Sequence, residues 1–160
     1  MKISILSVFP EFHEQFLQLS LIGRAIEQKR ITVNLYRFSD FCEPKDRIDE
    51  PTAGPGAGMI IKPEVIEAAI TRCQEEHGAG VKIFFSPQGT RLTQRVLRQM
   101  ASTLGIAGTG TVPTVASPST ASQPHIILVC PRYEGIDERV QQHFADHTIS
   151  IGDYVVMGGD

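Results

Sequence analysis

Residues 2–8, KISILSV, are an aliphatic and β-branched run closed by Phe9-Pro10, which predicts a buried first strand. Over residues 11–29 the period changes, with Phe12, Phe16, Leu19, Ile22 and Ile26 at three- and four-residue steps. That spacing predicts a helix, broken near Ser20. Lys29-Arg30 suits a helix end, and the alternation over residues 31–38 predicts a second strand. Residues 39–58 carry no period, and the stretch DRIDEPTAGPGAG is punctuated by Pro and Gly as a loop. Lys62-Pro63-Glu64 opens a helix with Pro in its first turn, which runs through Val65, Ile66, Ala69 and Ile70 to His77-Gly78. A short strand over 81–85, a helix over 92–100 and a strand over 126–130 complete the pattern. Alternating strand and helix signals predict an α/β fold on a mainly parallel sheet, as one domain over residues 1–160.

Composition narrows this. Residues 105–125 are nearly free of charge and consist mostly of Gly, Ala, Ser, Thr and Pro, which predicts a low-complexity surface loop. Its glycines lack the Lys-Ser/Thr pair and following helix of a phosphate cradle. With 41% hydrophobic residues in 160, the chain can bury a core. A net charge of −3 argues against a broad basic face for nucleic acid, so any such contact rests on local patches. Cys42, Cys73 and Cys130 are odd in number and far apart, which suggests neither a disulfide framework nor a zinc site. No segment reads as an export signal or a membrane span, and a soluble, cytoplasmic protein is expected.

Three segments are richer in Gly and charge than packing requires. The first, residues 49–59, sets Asp49 and Glu50 beside glycines that let backbone approach a ligand; from the residues alone the solvated acidic turn is the favoured reading. The second, Phe84-Phe85-Ser86-Pro87-Gln88-Gly89, lies where a strand ends, the side of an α/β sheet on which ligands sit. The third joins residues 130–140, CPRYEGIDERV, to residues 150–160, SIGDYVVMGGD. Glu134, Asp137 and Glu138 there also suit a helix N-terminus, with Arg139 pairing one of them. None of the strings is a dinucleotide fingerprint, a P-loop, a zinc-protease helix or a nucleophile elbow, so the residues alone indicate a ligand site and no reaction.

The ordered strings LSVFPE-F, the Gly-rich loop ending in Gly58-Met59, SPQG, RYEGIDERV and SIGDYV-x-x-GG resemble the TrmD family of bacterial tRNA (guanine(37)-N(1))-methyltransferases. The resemblance runs along the whole chain apart from the low-complexity stretch. It implies the SPOUT fold, an α/β sheet whose C-terminal part forms a trefoil knot, against the general absence of knots. It also implies S-adenosyl-L-methionine as cofactor, tRNA as substrate and a homodimer. Carried over residue by residue, Phe85, Ser86 and Pro87 line one side of the cofactor, and Pro131, Tyr133, Glu134 and Gly135 another. Ile151, Gly152, Asp153, Tyr154, Val155 and Val156 hold the adenine through backbone, and Gly158 and Gly159 close the pocket. Glu134 is the candidate assisting group and magnesium contact, and Asp49 and Glu50 face the tRNA side.

The chain departs from the family pattern in places. Pro131 stands where the family has Gly and removes a backbone N–H donor. The family's D-x-P-Y-GGG loop reads EPTAGPGAG here, without its aromatic. In the family, Gly158-Gly159 is followed by a helix that completes the knot, a linker with a catalytic Arg and Asp, and a tRNA-binding domain. The 160 residues stop before these, so an incomplete knot, no complete catalytic set and little independent turnover are expected. The alternative reading is a non-catalytic cofactor-binding or dimerisation fragment of the same family.

Overall fold

The computed structural model describes residues 1–52, 54, 57–104, 123–156 and 158. The opening apolar run forms β1 (Lys2–Ser7), and the helical period after it divides into α1 (Glu11–Leu17) and α2 (Ser20–Glu27). Ser20 itself takes φ +50, a left-handed value that interrupts the helix at the expected point. β2 (Thr32–Arg37), α3 (Pro63–His77), α4 (Gln94–Thr103) and α5 (Glu138–Phe144) lie on the segments expected for them.

Four features differ from the sequence pattern. A 3-10 turn at Phe38–Phe41 opens the loop expected over 39–58, and the loop contains the strand β3 (Asp49–Pro51), which pairs antiparallel with β4 (Met59–Ile61). Strands of three residues are too short to leave a readable period. β5 runs over Val81–Arg91, beyond the short strand expected, because pairing resumes at Thr90 after an interruption. β6 (His125–Cys130) begins one residue early, with His125 drawn from the low-complexity stretch into the sheet. Residues 105–122 of that stretch lie outside the described residues. β7 (His147–Ser150) has no counterpart in the sequence reading, where its four residues are too few to register beside the glycines after them.

The main sheet has the order β2-β1-β6-β5-β7, and its pairings are all parallel. A parallel sheet needs helical cover, which α3 supplies. Val65, Ile66, Ala69, Ile70 and Cys73 form its buried stripe and share one cluster with Leu6, Phe84, Ile127 and Val129 of the sheet. Each such aliphatic or aromatic side chain contributes about 1.5–3 kcal/mol through burial. The amino end of the sheet carries a polar network. His125 Nδ1–H donates to the Gly78 carbonyl at 2.8 Å, which leaves Nε2 to accept from the Ser4 hydroxyl at 2.9 Å. Beside it the Tyr36 hydroxyl donates to Glu76 at 2.6 Å and lies 2.8 Å from His77 Nε2. The carboxyl ends of β5, β6 and β7 all open on the opposite edge.

Candidate functional site

At that edge the chain bulges. Phe85 and Thr90 both face Ile149 of β7, so the four residues between them, Ser86, Pro87, Gln88 and Gly89, are extruded from the ladder. Pro87 cannot donate to a ladder and loses nothing there. Gly89 passes so close to β7 that a Cβ would lie 2.6 Å from the Ile149 backbone nitrogen and carbon. The bulge thus needs glycine at its return.

The loop after β6 forms a second wall. Gly135 N–H donates to the Arg132 carbonyl at 3.1 Å, which closes a turn over Tyr133 and Glu134. Tyr133 sits at φ +60, a conformation costing a side-chain-bearing residue about 1 kcal/mol or more. The β3–β4 hairpin supports this turn from outside. Glu134 N–H donates to the Met59 carbonyl at 3.0 Å, and Ile61 N–H to the Gly135 carbonyl at 3.1 Å. Glu134 packs its side chain over Gly58, where a Cβ would collide with Glu134 Cγ. The glycine of the Gly-rich loop is therefore explained by close approach. The loop after β7 is the third wall, and Arg132 meets Gly158 across it in an antiparallel bridge.

These loops enclose a cavity of about 330 Å³, within the range of small-molecule sites. Of the residues singled out from sequence, Phe85, Ser86 and Pro87 line it from the bulge. Pro131, Tyr133, Glu134 and Gly135 line it from the second loop. Ile151, Tyr154, Val155, Val156 and Gly158 line it from the third. Gly152 and Asp153 are not among the lining residues, and Gly159 lies outside the described residues. Asp49 and Glu50 are not on the lining either, and as consecutive strand residues they point to opposite faces. Asp49 is buried and accepts two bonds from Arg47, Nε–Oδ1 and Nη2–Oδ2, each 3.0 Å. Arg47 holds the Asp49 carboxyl below its usual range.

Ile149 also lines the cavity from outside every segment singled out, while Gln88, Ile136 and Ser150 line it from inside those segments, where they carried no assigned role. Glu138 and Gln141 reach it from α5, three residues apart and hence on one helix face. Glu138 lies inside the RYEGIDERV string, whereas Gln141 lies one residue past it, where no motif marks it. Asp137 caps α5, accepting from Arg139 N–H at 2.8 Å and pairing with the Arg139 guanidinium, which lowers the Asp137 pKa. Thus Asp137 and Arg139 are structural here, while Glu138 faces the cavity. Chemically, the lining offers apolar surface from Phe85, Pro87, Ile149, Ile151, Val155 and Val156, two carboxylates from Glu134 and Glu138, and the cation of Arg132. Among the described residues no group of three or more His, Cys, Asp and Glu could hold a metal ion.

The comparisons agree on one family. A family model described as tRNA (Guanine-1)-methyltransferase TrmD matches residues 1–107 and 112–160. Curated relatives named tRNA (guanine-N(1)-)-methyltransferase include one from Mesomycoplasma hyopneumoniae strain 7448, 34% identical over 100% of this chain and 60% of its own length. Another, from Anoxybacillus flavithermus strain WK1, is 36% identical over 100% of this chain and 58% of its own. The crystal structure of a tRNA (m1G37) methyltransferase from Aquifex aeolicus aligns with a TM-score of 0.77 and 26% identity, over 99% of this chain and 63% of that one. The chain therefore spans about three-fifths of the length of the curated relatives it matches.

Proposed function

The chain belongs to the TrmD family of tRNA (guanine-1)-methyltransferases, and from that premise we propose that its cavity holds S-adenosyl-L-methionine for methyl transfer to N(1) of guanine 37 in tRNA. The observation that carries this is the convergence of the SPQG, RYEG and SIGDYV segments on one cavity at the carboxyl ends of β5, β6 and β7. Ligands in open parallel sheets bind on that edge. The apolar lining suits the adenine faces and the carbon–sulfur chain, and the Glu134 and Glu138 carboxylates suit the sulfonium and ammonium charges. When bound, the cofactor supplies an electrophilic methyl on a sulfonium that leaves as a neutral thioether.

N(1) of guanine carries a proton that has to depart as its lone pair takes the methyl, so a general base is required. The family resemblance assigns that step to an Asp. The residues that line the cavity serve cofactor binding and orientation, with Glu134 as the assisting candidate. Magnesium would find one or two carboxylates here, and would take most of its ligands from water or substrate. The trefoil knot of the SPOUT fold is part of the same reading, supported by the likeness to the Aquifex aeolicus structure. A homodimer is supported by exposed Phe12, Phe16, Leu19 and Leu21 on α1, α2 and the link between them, and a cytoplasmic setting by the tRNA substrate. Pro131, buried against the cavity without an N–H to offer, favours weak cofactor binding and keeps a non-catalytic module as the second reading.

Transfer of labelled methyl to tRNA transcripts carrying guanine or adenine after the anticodon tests the proposal. Label at N(1) of the guanine transcript alone supports it, and equal labelling of both contradicts it. Saturable cofactor binding without transfer selects the binding module.

A further inference from the structure

Tyr133 holds a left-handed conformation, and such a residue stays there only where its surroundings over-determine it. Part of that restraint is backbone: the bond from Gly135 N–H to the Arg132 carbonyl and the pairing of Arg132 with Gly158. The Arg132 side chain supplies another part. Its guanidinium carbon lies 5.1 Å from the centroid of Phe9 and 5.2 Å from that of Phe12, both within cation–π range. The two rings meet edge to face at 5.9 Å, so they form one platform. Neither ring lines the cavity. The platform is fixed in turn to β2, because Arg37 Nη1 donates to the Val8 carbonyl at 3.3 Å and Nη2 pairs with Glu11. A continuous chain of contacts thus runs from β2 through the turn between β1 and α1 to the Tyr133 wall.

We propose that Arg132 is a positioning residue for the cofactor: stacked on Phe9 and Phe12, it ties the 132–135 turn to the turn between β1 and α1 and keeps the Tyr133 wall in its binding shape. This rests on the cofactor reading of the cavity. Three variants separate the possibilities: Arg132→Leu, Arg132→Lys, and the pair Phe9→Leu with Phe12→Leu. The two phenylalanines are 43% and 62% exposed, so their replacement leaves the core intact. Two quantities are read on each: the Kd for S-adenosylhomocysteine by calorimetry, and amide hydrogen exchange at Glu134 and Gly135.

Arg132→Leu and the phenylalanine pair are each expected to weaken binding about three- to tenfold and to speed exchange at both amides. Combining them should weaken binding no further than Arg132→Leu alone, since that variant already removes the contact the two rings make. Arg132→Lys should recover part of the affinity. Wild-type affinity and exchange in the phenylalanine pair would overturn the clamp, as would effects that multiply in the combination. A wild-type chain that binds no S-adenosylhomocysteine would overturn the cofactor site and the positioning role with it; unchanged exchange alongside normal wild-type binding would overturn the clamp alone.

Discussion

At the scale of single residues, Tyr133 separates stability from binding. Replacing it with Gly relieves a left-handed side chain worth about 1–2 kcal/mol and adds unfolded-chain entropy of about 0.4–1 kcal/mol. Tyr133→Gly should therefore leave the urea unfolding free energy within about 1 kcal/mol of wild type, while removing a ring from the cavity wall weakens S-adenosylhomocysteine binding about tenfold or more. A large loss of stability with unchanged affinity would show that the strain has been misassigned. His125 makes a second residue-scale prediction. Burial lowers its pKa from the ordinary 6.5, with nearby His77 and Lys2 acting in the same direction. The folded state thus prefers the neutral ring, whose Nδ1–H serves Gly78 and whose bare Nε2 accepts from Ser4. Its contribution is complete above about pH 6.5 and is withdrawn as the pH falls toward the lowered folded value. Urea midpoints should drop between pH 7.5 and 5.5, and the drop should shrink in His125→Asn. The carboxylates held low by partners, Asp49 by Arg47 and Asp137 by Arg139, are lost in a separate, more acidic window.

Among the elements, the bulge in β5 is the part on which the site depends. The two ladder segments of β5 converge on Ile149, and the extruded residues Ser86, Pro87 and Gln88 become cavity wall. Gly89→Ala would place a Cβ 2.6 Å from backbone that cannot rotate away. The expected cost is about 1–3 kcal/mol in urea unfolding, as for other overpacked sites, with weakened cofactor binding. Full stability and affinity in that variant would contradict the account of the bulge. The sequence carried the long elements plainly: α3 announces itself through Pro63, five buried positions on one face and Gly78 at its end. It carried β3, β4 and β7 poorly, since three or four residues hold too few alternations to read. It hid the full length of β5 because a four-residue extrusion looks like the end of a strand. The three cavity loops were found as strings, but which side chains face inward depends on tertiary geometry. Gly152 and Asp153 sit in the right loop without lining the cavity, and Gln141 lines it from a helix where no motif drew attention.

The 160 residues carry a net charge of −3, so the tRNA partner proposed above would be met through local contacts around the cavity mouth. The mouth itself is apolar: Tyr133, Ile151, Tyr154, Val155 and Val156 are all exposed there. Together with Phe12, Phe16, Leu19 and Leu21 they are candidates for cover by a second copy. Sedimentation velocity at micromolar concentration should give the dimer mass, and a monomer would remove the homodimer from the account. Among the described residues no helix is long and apolar enough to cross a membrane. The most direct test of the central claim is calorimetric titration of the chain with S-adenosylhomocysteine and, separately, with ATP. The cavity lining holds two carboxylates and one arginine, a poor match to a polyphosphate and a good one to an adenosine whose tail ends in an ammonium and a carboxylate. Saturable binding of S-adenosylhomocysteine near one site per chain, with no heat from ATP, is the predicted result. No saturation by S-adenosylhomocysteine up to about 1 mM, a ceiling of roughly −4 kcal/mol, or equal binding of both ligands, would contradict it.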